Sequence, residues 1–93
     1  MRLSHSSLLV LKACSDRAPG QMHGYELMQM TGIASGTLYP VLLRFEAEGL
    51  LTSSWETADP SAEGRPRRRL YRITGTGIHI LAERLGALGW GAA

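Results

Sequence analysis

Apolar residues recur along this chain with two different periods, and the changes of period mark out its elements. From Ser4 to about Asp16, Leu8, Val10 and Leu11 supply the buried side of a first helix, which Arg17-Ala18-Pro19-Gly20 terminates. His23-Gly24-Tyr25-Glu26-Leu27-Met28-Gln29-Met30 predicts a short second helix ending near Thr31-Gly32. A tight connection, Gly32-Ile33-Ala34, leads into a third helix over 35–48, in which Leu38, Val41, Leu42 and Phe45 fall at i, i+3, i+4 and i+7. Ser35 suits the N-cap of this helix, because its hydroxyl can accept from the free amides of the first turn. Gly49 suits its end, since glycine takes the left-handed conformation at little cost. Pro40 sits near the start, where one hydrogen bond is lost and the bare Gly36, four residues back, leaves room for its ring.

Beyond Leu50 the pattern shortens to a period near two. Leu51-Thr52-Ser53-Ser54-Trp55-Glu56-Thr57 predicts a strand, residues 58–66 a polar loop with two prolines, and Arg67-Arg68-Arg69-Leu70-Tyr71-Arg72-Ile73-Thr74 a returning strand. A last helix opens at Thr74 or Thr76, with Ile78, Leu81, Ala82, Leu85 and Leu88 as its apolar stripe. The fold class is mainly α with a small β-hairpin. Two helices joined by a glycine-containing turn make a helix-turn-helix, and a hairpin directly after its second helix makes the wing of a winged helix-turn-helix. Tyr71 and Ile73 belong to the hairpin core, and Trp55 is expected to pack the hairpin base.

Composition adds that the chain is an ordinary globular domain: 93 residues, 44% hydrophobic and 19% charged. The formal charge is only +2, yet nine of the ten basic residues are arginine. Arginine presents a planar fork matched to phosphate and to guanine. Five of them, Arg65, Arg67, Arg68, Arg69 and Arg72, crowd into the return of the hairpin. The single cysteine, Cys14, cannot form an internal disulfide and follows an apolar run, which fits a small core hydrophobe in a reducing, cytoplasmic setting. No stretch reaches the length of a membrane span. His5, His23 and His79 are not at metal-ligand spacing, and no nucleophile–base pair, phosphate loop or paired carboxylates can be assembled. Catalytic residues, metals and cofactors are therefore not expected.

The candidate chemistry lies at the front of the third helix. Ser35, Thr37 and Tyr39 place hydroxyls at a helix N-terminus, where phosphate oxygens and base edges are favoured partners, with Arg44 further along the outer face. Arg65, Arg67, Arg68 and Arg69 are the matching cations of the hairpin. Alternation along a strand lets only one or two of them meet a single phosphate row. The competing reading pairs them with Glu56, Asp59 and Glu63 as a solvated face. Trp90, in a glycine-rich tail, is the candidate for an effector pocket or a dimer contact.

The strings His23-Gly24-Tyr25-Glu26-Leu27, Ser35-Gly36-Thr37-Leu38-Tyr39-Pro40, Leu42 to Leu51 and Arg67 to Thr74 together resemble the PadR-type transcriptional regulators, over about residues 5–85. The resemblance implies a homodimer that binds a pseudo-palindromic DNA operator and represses transcription. It implies that Ser35, Thr37 and Tyr39 face the major groove, that the arginine hairpin reaches the backbone or minor groove, and that His23 and Tyr25 lie near phosphates. Residues 1–74 then form the DNA-binding domain and 75–93 a dimerising helix. Three departures stand out: Gly75 replaces the family's usual acidic residue, the Thr31–Ala34 link is short, and the chain reaches Ala93 where relatives continue into a longer dimerising helix. The dimer is then expected to lean on the first helix, or the chain to be a piece of a longer one. A winged-helix protein-interaction module, or a small-molecule-sensing dimer without DNA readout, is the alternative.

Overall fold

The computed structural model describes residues 3–87. Among these, the elements run α1 (His5–Arg17), β1 (Met22–His23), α2 (Gly24–Thr31), α3 (Ser35–Ala47), β2 (Leu51–Trp55), α4 (Pro60–Glu63), β3 (Arg69–Ile73) and α5 (Gly75–Ala87). The three strands form one antiparallel sheet in the order β1-β3-β2. This is a winged helix-turn-helix with the expected helices and hairpin, and with a third strand that the sequence pattern did not announce. Strand β1 is two residues long, too short to show a period; it pairs Met22 with Tyr71 and His23 with Leu70.

Each helix begins where its local chemistry allows. The Ser4 hydroxyl accepts from the Ser7 amide at 3.1 Å and caps α1. His23 caps α2 through a reciprocal box, in which its Nδ1 accepts from the Glu26 amide at 3.3 Å while its own amide donates to Glu26 Oε1 at 3.2 Å. Helix α3 departs from expectation by one residue. The amides of Thr37 and Leu38 donate to the Ala34 carbonyl at 3.0 and 2.9 Å, so Ala34 is the N-cap and Ser35 already lies inside the first turn. Its hydroxyl caps nothing. The helix ends as expected, with Gly49 at φ +78°, a conformation that other residues reach only under strain. Thr74, not Thr76, opens α5: its hydroxyl accepts from the Gly77 amide at 3.0 Å and donates to the Gly49 carbonyl at 2.7 Å.

Helices α1, α2 and α3 enclose Val10, Leu11, Leu27, Leu38, Leu42 and Phe45, all essentially without solvent exposure. The sheet closes the open side of this core with Met22, Leu51, Tyr71 and Ile73. Each fully buried side chain of this size contributes about 1.5–3 kcal/mol of transfer free energy. Cys14 is buried among them, and burial pushes its thiol up to about 11, so it remains a protonated, apolar filler. Ser7 is the one fully buried polar residue of the described core, and Arg44 Nη2 donates to its hydroxyl at 3.0 Å.

Three expectations change. The loop over 58–66 contains a helical turn, α4, capped by Asp59 Oδ1 on the Ser61 amide at 3.0 Å and started by Pro60. Trp55 does not pack the hairpin base; it is 61% exposed, and the Arg69 guanidinium lies 4.9 Å from its ring centroid. The apolar stripe of α5 keeps Leu81 and Leu85 as expected but loses Ile78 and Ala82. Gly77 and Leu81 are buried and Ile80 and Leu85 partly so, whereas Ile78 and Ala82 face solvent. The bare Cα of Gly77 lets the first turn of α5 sit directly on the Leu50 carbonyl, with the Gly77 side facing the core. Leu88 and Trp90 lie outside the described residues.

Candidate nucleic-acid interface

The N-terminal ends of α2 and α3 converge on the return of the hairpin. The turn between the helices brings Tyr39, one turn into α3, against Gly24 at the start of α2. Strand β1 then ties that corner to β3, so His23 stands beside Leu70 and close to the arginines that precede the strand. The outcome is a groove of about 350 Å³. Of the predicted site residues, His23, Tyr25, Tyr39, Arg65, Arg67, Arg68 and Arg69 all line it. Ser35 and Thr37 are exposed on α3 outside the groove, and among the described residues their hydroxyls make no hydrogen bond. Arg44 is set apart: its guanidinium reaches to Ser7 on α1 and lies 5.5 Å from the Phe45 ring centroid.

The arginines do not behave alike. Arg65 makes a forked pair with Glu56, at 2.6 and 3.3 Å, and this bond holds the Glu56 carboxyl below, and the guanidinium above, their ordinary ranges. Arg69 is drawn inward, its Nε donating to Ser53 Oγ at 3.0 Å while Ser53 donates on to Glu46, whose carboxylate lies 3.7 Å from Arg69 Nη2. Of the acids expected to pair with the hairpin arginines, Glu56 does so with Arg65, whereas Arg69 meets Glu46 of α3 instead. Arg67 spends one donor on the Ala58 carbonyl at 3.2 Å and is otherwise exposed. Arg68 touches no acid through its side chain; its Nη1 lies 2.9 Å from His23 Nε2. Arg72 sits on the opposite face of the hairpin, paired across from Thr52.

His23 is overcommitted. Nδ1 faces the Glu26 amide and Nε2 faces the Arg68 guanidinium, both donors, and a neutral imidazole has one acceptor nitrogen. With Nδ1 holding the cap, Nε2 has two neighbours, Arg68 Nη1 and Glu26 Oε1, the latter 3.3 Å away. Arg68 is thus a groove cation whose side chain meets an imidazole and, among the described residues, no carboxylate. Glu26 itself is pushed up by burial, but the His23 amide and Arg17 outweigh this and hold its carboxyl below the ordinary range. The His23 ring is stacked beside Tyr25, centroids 6.5 Å apart, and Tyr25 is 58% exposed.

Two contributors lie outside the residues picked from the sequence. Gly24 forms the floor on which Tyr39 rests. Tyr71, placed in the hairpin core, is buried there and also shows an edge to the groove, and burial raises its phenol above the ordinary range. Both lie in strings that carry the family resemblance, but their roles depend on what stands opposite, which the strings do not state. Among the described residues no group of three or more His, Cys, Asp or Glu could hold a metal ion, and no helix is long and apolar enough to cross a membrane.

Comparison with known proteins places this geometry in context. The sequence matches the transcriptional regulator PadR-like family over residues 10–83. It is 42% identical over 66 residues to the transcriptional regulator Rv3488 of Mycobacterium tuberculosis, covering 71% of this chain and 51% of that protein. The chain thus spans about half the length of the curated relative it matches. The crystal structure of a PadR family transcriptional regulator from Eggerthella lenta is similar at a TM-score of 0.71 and 29% identity, over 87% of this chain and 71% of that one. The fold is also that of BpsR from Bordetella bronchiseptica, whose DNA binding is regulated by 6-hydroxynicotinic acid, at a TM-score of 0.71 and 23% identity over 99% and 64% of the two chains.

Proposed function

Because this chain belongs to the PadR-like family of transcriptional regulators, not of enzymes, we propose that it binds double-stranded DNA as a homodimer and represses transcription from its operator. Two copies of α3 enter successive major grooves, about 34 Å apart on a pseudo-palindromic site. Ser35, Thr37 and Tyr39 meet base edges and phosphates, and Arg67 and Arg68 take the backbone beside them. The observation that carries this reading is the groove, which gathers Tyr39, His23, Tyr25 and the hairpin arginines from three separate segments onto one face. Affinity comes mainly from phosphate neutralisation, and sequence preference from α3.

The test is the salt dependence of binding to duplex fragments selected by the protein. Arg68→Ala weakens binding to all sequences alike and lowers the slope of log affinity against log salt by about one unit. Arg65→Ala, removing a guanidinium already neutralised by Glu56, changes the slope far less. Equal slopes for wild type and Arg68→Ala overturn the reading of the wing, and failure to bind any duplex favours a protein-interaction module instead. The three tyrosines and Arg68 also favour a second role for the groove, as the seat of a planar anionic effector that competes with DNA.

A further inference from the structure

The outermost line of α3 is apolar. Gly36, Pro40, Leu43 and Ala47 follow at steps of four, three and four, so they share one line along the helix, and all four are exposed. That line lies opposite the buried line of Leu38, Leu42 and Phe45. Ser35 and Tyr39 flank it on one side, Thr37 and Arg44 on the other. The hydroxyl-bearing residues are therefore its borders, and its centre has no hydrogen-bonding side chain.

Within the line, Gly36 has no side chain, Pro40 a flat ring and Ala47 a single methyl. Leu43 alone stands out from the surface. It is 71% exposed, more than any other large hydrophobic residue among the described ones. Tyr39, one turn earlier on the adjoining edge, links it to the arginine-lined groove. The only acids on α3 and its cap, Glu46 and Glu48, stand at the C-terminal end of the line, and Glu46 is taken up by Ser53 and Arg69. The N-terminal part of this line, from Gly36 to Leu43, thus suits a polyanion.

Only one base presents an apolar group in the major groove: thymine, through its C5-methyl. We infer that Leu43 is a specificity-determining residue that packs its isobutyl group against the methyl of a thymine in each operator half-site, with Pro40 widening the apolar contact. This rests on the DNA-binding reading above and names what that reading leaves open, the base feature that the centre of α3 selects.

The test replaces each thymine of a selected duplex in turn by uracil, which removes the methyl and leaves base pairing and the O4 acceptor unchanged. Binding of the full chain is measured alongside Leu43→Ala, whose folding is checked by its thermal midpoint. For wild type, one replacement per half-site weakens binding about fourfold, the value of burying one methyl-sized group. In Leu43→Ala the same replacement has no effect. A wild type indifferent to every replacement overturns the inference while leaving DNA binding standing. So does a penalty that persists in Leu43→Ala, or a variant that binds DNA normally but no longer self-associates. Absence of binding to any duplex overturns the DNA reading itself.

Discussion

The hydroxyl of Tyr39 fills the space that a side chain on Gly24 would occupy. A Cβ at Gly24 would lie 2.2 Å from the phenolic oxygen and 2.8 Å from the ring carbon that bears it. The direction of the most prominent polar group on α3 is thus set by an atom missing from α2.

Gly24→Ala consequently moves Tyr39 before it harms the fold, because the far end of a tyrosine swings more easily than backbone. Global stability is expected to change by less than about 1 kcal/mol. Duplex affinity should fall by about tenfold, the order of one lost base contact. Adding Tyr39→Ala to Gly24→Ala should cost little more, and a double-mutant cycle measured by titration checks that non-additivity.

Two glycines within the first turn of α5 should respond in opposite directions. A Cβ on Gly77 would lie 2.4 Å from the Leu50 carbonyl oxygen, which is backbone, and 2.7 Å from Ile73 Cγ1. Gly77→Ala should therefore destabilise the protein by about 2–3 kcal/mol. Nothing lies within 4 Å of a Cβ on Gly75. Gly75→Glu should stabilise by about 0.5–1 kcal/mol, by restricting the unfolded chain and placing a negative charge at the positive end of α5. Urea denaturation of the two variants reads both signs.

Adjacent leucines of α3 provide a similar contrast. Leu42 is 1% exposed and Leu43 71%. Leu42→Ala should cost about 2–5 kcal/mol and Leu43→Ala no more than about 0.5 kcal/mol. Chemical denaturation with unchanged m-values would confirm the ranking, and a near-neutral Leu42→Ala would mean that α3 buries a different face.

Acid should loosen the hairpin. Arg65 holds Glu56 below its ordinary value of 4.5, and Glu26 is lowered as well despite its burial. A carboxyl lowered by folding contributes stability that is complete above its unfolded value and is lost as pH falls through the folded one. The thermal midpoint should therefore drop as pH falls below about 4.5. Glu56→Gln should flatten that dependence, and a slope identical to wild type would show that the Arg65 pair carries none of it.

Local signals alone determined much of this protein. The stripe Leu38, Leu42 and Phe45, the stop at Gly49, the threonine opening the last helix and the alternation of Tyr71 with Ile73 all depend on residues within a turn or a strand of one another. Asp59-Pro60 and Gly64 are start and stop signals of the same kind, so α4 was also legible there, hidden inside a segment taken for loop. Ser35 missed the cap by one position because hydroxyl chemistry suits either residue, and only the bonds to the Ala34 carbonyl decide between them. Tertiary structure decided the rest. Two-residue β1 exists because β3 stands beside it. Arg44 turns to Ser7, 37 positions away, and Arg65 and Arg68 differ in freedom because one meets a carboxylate and the other an imidazole. A side chain's neighbours in sequence fix its helix or strand, whereas its charge partner and its exposure depend on the element packed opposite, which no local pattern encodes.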